Sequence, residues 1–437
     1  MQLRHQPHCR QTINRLVASI LVGWVSVHPA HAQAPVTNSD RSSALKMFFD
    51  CATGCDQDFL RREITFVNYV RDRQDADLHV LVTTQPTGGG GIEYTIQFIG
   101  LGRFRGVDQA LEYVAAQTST ADERRVGFAE TLKRGLVRYV SETPLGDRIT
   151  VTFAPETSAK DIDTVPDDPW NLWVFRTTFS GTFNGEASNT GRSIRVGASA
   201  SRTSEEWRID FSTSGSYRSD RFQLTEGEEF RTITKEYGLS ALVVKSLTDH
   251  WSAGGVGSAA SSTFLNYDLR IRVGSGVEFN VFPYSESTRR LLTLQYTVGL
   301  NSFDYREETI FGEVSERLVD HRPALLFTMV QPWGSAGAEL TFTQYLSKPD
   351  KYNISVLGHS NVRLTRGLSL NTLVIVSRTE DQLYLPRGDA TNEEILVRER
   401  QLATSYRYSM VVGFTYTFGS IFNNIVNPRF GGAADGF

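Results

Sequence analysis

After Trp170 the chain consists of segments in which apolar and polar residues alternate at every second position for ten residues or more, and this limits its possible folds more than any other feature. From Trp207 to Arg218, one face carries Trp207, Ile209, Phe211, Thr213, Gly215 and Tyr217, and the other carries Arg208, Asp210, Ser212, Ser214, Ser216 and Arg218. Leu269 to Val281 sets Ile271, Val273, Val277 and Phe279 against Arg270, Arg272 and Glu278. Tyr406 to Phe418 sets Tyr408, Met410, Val412 and Phe414 against Arg407, Ser409, Gly413 and Thr415. Side chains alternate across a strand, so each segment is a two-faced strand. Strands of soluble sandwiches alternate too, but usually run about 5–6 residues. These have the roughly 9–11 residues that a tilted strand needs to cross a bilayer.

The pattern predicts about twelve strands, near 173–186, 191–202, 206–219, 232–247, 250–263, 268–283, 289–305, 322–332, 335–347, 352–365, 367–383 and 403–419, the eighth with poor alternation. Links after strands 2, 4, 8 and 10 are short, whereas 220–231, 306–321 and 384–402 are long and charged. Outer-membrane barrels have short periplasmic turns and longer outer loops. With strand 1 entering from the periplasm, the long links fall on the outside. Backbone groups in lipid must all be paired, so the sheet is expected to close.

The start reads as a secretory signal: basic Arg4, Arg10 and Arg15, an apolar run from Leu16 to Val27, and Ala30-His31-Ala32 before a cut after Ala32. No later stretch is long and apolar enough for a transmembrane helix. A linker at 33–43 leads to a region at 44–153 in which helical and strand periodicities alternate. Lys46 to Phe49 reads as a strand. Asp56 or Asp58 can cap a helix whose apolar face is Phe59, Leu60, Ile64, Val67 and Val70. Leu78 to Thr83 and Glu93 to Ile99 read as strands joined at Gly88 to Gly91. Thr120 and Glu123 form a capping box that opens a helix carrying Ala129, Leu132, Leu136 and Val140 on one face. Arg148 to Phe153 closes the region as another strand, giving the order βαββαβ. Residues 154–170, with three Pro, form a linker to the barrel at 171–420. The fold class is thus a periplasmic α+β domain followed by an antiparallel transmembrane β-barrel. The tail 421–437 contains Pro428, shows no alternation, and is expected to stay on the periplasmic side. There it would fold against the barrel rim, or tuck into the mouth by Ile421, Phe422 and Ile425, leaving Phe418 as the terminal aromatic.

Little in the sequence points to catalysis. Cys9 leaves with the signal, and Cys51 and Cys55 remain in an oxidising compartment, where a disulfide is expected. Their spacing has one residue too many for a redox pair, and no Cys or His pair stands nearby to complete a metal site. The four glycines lack the Lys-Ser or Lys-Thr of a phosphate loop. His359, Ser360 and Asn361 raise the question of a hydrolase, but on a strand His359 and Asn361 share a face that Ser360 does not. His250 and His321 read as surface residues. A net charge of −4 gives no case for nucleic acid, and no cofactor is expected.

The predicted lumen holds Arg176, Arg195, Arg208, Arg270, Arg272, Arg363, Arg407 and His359, with Asp210, Glu278 and Glu339 against them. The lipid face holds Trp207, Ile209, Phe211, Ile271, Val273, Phe279, Met410, Val412 and Phe414. Ion pairs filling a narrow lumen, or an anion-favouring path, would both use such a set.

Several longer words also carry a resemblance. They are Phe49-Asp50-Cys51, Phe66 to Asp75, Leu81 to Gln85, the Gly88 to Gly91 run, Phe282 to Arg289, Arg400 to Arg407 and Gly419 to Asn424. On these the chain resembles uncharacterised bacterial outer-membrane proteins with a periplasmic α/β domain and a β-barrel, a likeness that implies the fold and no activity. The barrel is similar to the salt-induced outer-membrane proteins of unknown function, and the α/β part to the N-terminal domain of the translocation protein TolB. The expected role is a structural or binding barrel, in contact with outer-membrane lipid, whose periplasmic domain docks an envelope protein. A small-solute channel and an outer-membrane hydrolase are the alternatives.

Overall fold

The computed structural model describes residues 44–51, 54–150, 168–223, 229–388 and 405–426. The expected signal, the linker 33–43, most of the linker 154–170 and residues 427–437 lie outside them.

The N-terminal domain runs β1 (Lys46–Cys51), α1 (Gln57–Glu63), β2 (Asn68–Tyr69), β3 (Leu78–Pro86), β4 (Ile92–Gly100), β5 (Gln109–Ala115) and α2 (Ala121–Val140). Its sheet has the order β2-β1-β3-β4-β5, with β1 parallel to both β2 and β3 and the rest antiparallel. The Asp56 carboxylate accepts from the Phe59 N–H at 2.9 Å and starts α1. Thr120 and Glu123 exchange backbone–side-chain hydrogen bonds at 3.1 and 2.7 Å and start α2. Leu132, Leu136 and Tyr139 of α2 are fully buried with Met47, Leu78, Val80, Ile96 and Phe98, and the Tyr139 hydroxyl donates to the Val107 carbonyl at 2.9 Å.

The predicted order of elements is corrected at three places. Helix α1 ends at Glu63, and Val67 and Val70 are buried beyond it. The run from Ile64 to Val67 is rich in β-branched residues, which suit an extended chain. The strand β5 was not anticipated, although Leu111 and Tyr113 alternate with the exposed Ala110, Glu112 and Val114. The expected strand at 148–153 is replaced by a 3-10 turn at Gly146–Arg148, with Ile149 and Thr150 unpaired to any strand and 151–153 outside the described residues. The order becomes βαββββα, with β5 at the edge of the sheet beside β4.

The second region is one antiparallel sheet of twelve strands in chain order. They are β6 (Trp173–Gly185), β7 (Asn189–Thr203), β8 (Trp207–Gln223), β9 (Glu229–Ser246), β10 (Trp251–Ser262), β11 (Tyr267–Asn280), β12 (Arg290–Tyr305), β13 (Ser315–Gln331), β14 (Gly334–Tyr345), β15 (Lys348–Thr365), β16 (Leu368–Thr379) and β17 (Tyr406–Tyr416). The largest departure from expectation is β13, which starts at Ser315, inside what read as a loop. Its charged residues there find partners within the sheet, and Pro323 interrupts pairing to β14 between His321 and Ala324.

The sheet curls strongly. Tyr384, just past β16, packs on Tyr267 of β11 with ring centroids 5.4 Å apart, and the Ile310 N–H, past β12, donates to the Leu385 carbonyl at 2.9 Å. Five strand spacings of about 4.8 Å would put β11 and β16 some 24 Å apart if the sheet were flat. The expected closure is not complete: in the described residues β6 pairs with β7 and β17 with β16, leaving two edges.

Residues 421–426 do not tuck into the sheet. Arg71 N–H donates to the Ile421 carbonyl and Asn423 N–H to the Tyr69 carbonyl, at 2.8 and 2.9 Å, making an antiparallel bridge beside β2. Phe422 and Ile425 are exposed, because the segment is held by its backbone on the edge of the N-terminal sheet. Phe418 is also exposed and stacks on Tyr416.

Candidate functional site

Strand register carries one face of the sheet from strand to strand, since directly paired residues share a side. Following the pairs through β6 to β17 puts Arg176, Arg195, Arg208, Asp210, Arg270, Arg272, Glu278, Glu339, His359, Arg363 and Arg407 on one face. The same pairs put Trp207, Ile209, Phe211, Ile271, Val273, Phe279, Met410, Val412 and Phe414 on the other. The first face is concave. Side chains from seven successive strands, β8 to β14, line one cavity of about 670 Å³ that includes Arg208, Arg272, Glu278, Gln295 and Arg322.

The structure does not gather all of these charges. Around β11 to β13 they are buried and joined. Asp320, fully buried, accepts from Arg272 at 2.8 and 2.9 Å, from Arg322 at 2.7 Å and from the Asn301 amide at 2.9 Å. Arg272 lies flat over Gly299, where a Cβ would fall 2.7 Å from its guanidinium. Two guanidiniums share this one carboxylate, so the interior carries a positive excess there. Nearer the ends of these strands remote from the N-terminal domain, Tyr267, Phe303, Tyr305, Leu318, Tyr345 and Leu383 form a buried cluster, with Arg270 over the rings of Tyr267 and Phe303. The segment around Tyr384 closes over this cluster, and an Arg387–Glu308 ion pair ties it to the β12–β13 link. Three other concave charges, Arg208, Asp210 and Glu278, have local partners. Arg208 pairs with Asp210 at 2.8 Å, and the Tyr284 hydroxyl donates to Glu278 at 2.7 Å.

Asp320 was missed by the sequence reading because 306–321 was taken for a loop, while Asn301 and Arg322 lay inside predicted strands but were not singled out. The signal was present: Glu316, Leu318, Asp320 and Arg322 lie two apart, the spacing of one strand face.

A second cluster lies where the N-terminal domain meets the sheet. Arg363 grips Asp50 of β1 with both nitrogens at 2.9 Å and lies over the Phe48 ring at 4.8 Å. Asp50 also faces Nε2 of His79, which is fully buried, at 3.4 Å, and the Arg73 Nε–H donates to His79 Nδ1 at 3.1 Å. Because Nδ1 accepts, the imidazole proton sits on Nε2 and points to Asp50. Burial pushes the His79 pKa down, and the hydrogen bond and charge of Asp50 offset this only in part. Burial alone would raise the Asp50 carboxyl, but the hydrogen bonds from His79 and Arg363 prevail and hold it below the usual range. Beside this cluster, Arg366 in the β15–β16 turn grips Asp75 at 2.8 and 2.9 Å, and the Gly367 N–H donates to Asp72 at 3.0 Å. Thus Arg363, expected in the lumen, spends its charge on the junction.

The glycine run also lies at this junction. Gly88 to Gly91 turn between β3 and β4 against the start of the sheet: a Cβ on Gly88 would come within 2.7 Å of Thr203 Cβ, and one on Gly90, at φ +77°, within 2.6 Å of the Arg176 guanidinium. The expected disulfide joins Cys51 to Cys55 between β1 and α1. His359, Ser360 and Asn361 do not converge, since Ser360 points to the convex face and bonds the Thr372 hydroxyl at 2.7 Å. His250 meets the Asn280 carbonyl at 2.7 Å, and His321 bridges toward Gln344 and Tyr296 on the convex face. Among the described residues there is no group of His, Cys, Asp or Glu side chains that could hold a metal ion, and no helix is long and apolar enough to cross a membrane.

No curated protein matches the chain in sequence. Among solved structures it is similar to the NanC porin in a rhombohedral crystal form, at 10% identity and a TM-score of 0.26, over 55% of this chain and 99% of that one. So slight an overlap adds nothing to the strand pairing, on which the fold assignment stands. Residues 181–375, from β6 to β16, match the family described as a protein of unknown function, DUF481.

Proposed function

We propose that the chain is an outer-membrane β-barrel protein of structural or binding type, with its N-terminal domain on the periplasmic side. The observation that carries this reading is the convex face. Phe179 is 73% exposed, Leu300 66% and Phe414 66%, and apolar side chains of this kind recur around the sheet from β6 to β17. Soluble monomers rarely expose apolar patches beyond a few hundred Å². A bilayer covers such a face without cost, while the backbone groups stay paired within the sheet. The filled sector around Asp320 and Tyr267 favours a binding or structural role over an open pore. For the docking of an envelope partner, β5 is the edge of its sheet among the described residues, with Val114 exposed, and so offers a row of backbone groups.

The protein is expected to sediment with outer membranes and to migrate differently on a detergent gel before and after boiling. A freely soluble, heat-insensitive protein would sink the reading. In planar bilayers it should show no steady conductance, and a sustained anion-selective current would favour the channel alternative.

A further inference from the structure

The two strands at the ends of the sheet are its most exposed elements. β6 and β17 are exposed on nearly every residue of both faces, whereas β11 to β13 are largely buried or half-buried on the concave side. An edge strand of this length, flat and apolar, is a hazard that proteins cover or close. Among the described hydrogen bonds and ion pairs that join the two regions, the N-terminal domain touches the sheet at its two ends, at β6 on one side and from the end of β15 to the segment after β17 on the other.

At the β6 side, Arg176 lies against Gly90 and the Gln117 amide, whose oxygen accepts from it at 2.7 and 2.9 Å, and Thr203 lies against Gly88. At the β17 side, three consecutive features engage the domain. They are Arg363 on Asp50, the Arg366–Gly367 turn on Asp75 and Asp72, and the segment 420–424, which follows β17 and pairs beside β2. Asn424 completes that pairing, accepting from the Tyr69 N–H at 2.6 Å and donating to Asn68 at 2.9 Å. The attachments fall on opposite flanks of the domain. One is the edge beside β2, and the other is the β3–β4 turn with the β5–α2 link. Three or four strand spacings of about 4.8 Å, or roughly 14–19 Å, separate them across a sheet held rigid by the core under α2.

We propose that the N-terminal domain is a clasp across the open seam of the curled sheet: it holds the two ends of the sheet at a set separation and so maintains its curl. The partner surface it fits is this chain's own seam. Each exposed ion pair contributes little alone, Arg366 being half exposed. Their strength lies in combination with four hydrogen bonds donated by backbone N–H groups and the contact of Arg363 with the buried Phe48 ring, all on one rigid body. The segment 420–424 exists in place only after β17 has been laid down, so the clasp completes as the last strand arrives. The inference rests on strand pairing and junction contacts, and holds whatever medium covers the convex face.

The test is hydrogen exchange of the purified full-length protein in lipid nanodiscs. The D72A/D75A variant removes the turn contacts, and R176A releases the other flank. Amides of β6 and β17 should exchange roughly tenfold faster in D72A/D75A, with β11 to β13 and α2 unchanged, the latter showing that the domain itself remains folded. R176A should loosen β6 more than β17. The charge-reversed pair D75R/R366D should restore part of the lost protection. Unchanged exchange at β6 and β17 in both variants, or an equal rise in all twelve strands, overturns the clasp. Neither result bears on whether the sheet lies in a membrane, which fractionation decides separately.

Discussion

The two regions of this chain bury apolar side chains in opposite directions. In the N-terminal domain, Leu132, Leu136, Phe98 and Ile96 face one another and lose all contact with solvent. In the twelve-stranded sheet, Leu239, Val273, Leu300 and Phe414 point away from the protein, and the interior is held by Asp320, Arg272, Arg322 and Asn301. Both regions use strands with period two, so alternation alone does not say which face is the core. On the proposed membrane reading, what differs is the surrounding medium. In water the apolar face must turn inward, whereas against lipid the polar face is the one that must find partners.

The sharpest test of this contrast is Asp320→Ala. It would leave Arg272 buried, and Arg322 half-buried, without their shared carboxylate, and removing one partner of a buried pair such as Arg272–Asp320 costs about 3–5 kcal/mol. Denaturant titration in detergent should show that loss. A change within ~1 kcal/mol would mean that the interior is wetter than the contacts imply.

Next in size is a pair of substitutions one residue apart on β9. Leu239 faces outward and Ser240 inward, where its hydroxyl meets that of Ser212 at 2.7 Å. On the membrane reading Leu239→Arg should cost about 2–4 kcal/mol, because a cation near mid-bilayer is that unfavourable in such barrels. Ser240→Arg should cost much less. Equal losses in a folding titration would break the contrast between the two faces.

The smallest effect concerns the junction and depends on pH. His79 has its pKa depressed by burial, so the unfolded chain binds a proton more readily than the folded one. The stability it contributes is fully present above the ordinary histidine value of 6.5 and is lost as pH falls through its lower folded value. Asp50, also depressed, adds a loss in the same direction below its ordinary value of 3.8. Acid should therefore loosen the N-terminal domain and its grip on Arg363, with little effect between pH about 7 and 8. His79→Gln should remove the part of the melting-temperature decline that lies near pH 6, and an unaltered profile would exclude His79 as its source.

Local pattern reached far in the sheet and less far in the small domain. Eleven of the twelve strands lie within a few residues of where alternation put them, because each is long and its two faces differ in chemistry. The exception, β13, hides its start behind Glu316 and Asp320, charges that read as a loop until partners across the sheet neutralise them. In the small domain, β5 was passed over and a final strand was expected after α2. Short strands of mixed composition carry too few alternations to outweigh neighbouring turn residues, and which edge they join is a tertiary matter.

The sequence by itself determined the two-part order, the long two-faced strands, the capped α2 and the partition of charged and apolar residues between faces. All of these follow from covalent geometry and from the spacing of side chains along one element. The Cys51–Cys55 link was also legible, since its two ends are near neighbours in the chain. Only the tertiary structure decided that Asp320 gathers two arginines, that Arg363 serves Asp50, that the glycine turn packs on Thr203, and that 420–424 pairs beside β2. Those contacts join residues up to 356 positions apart. Their existence depends on how far the sheet curls and on where the small domain comes to rest, and neither is encoded in any local period.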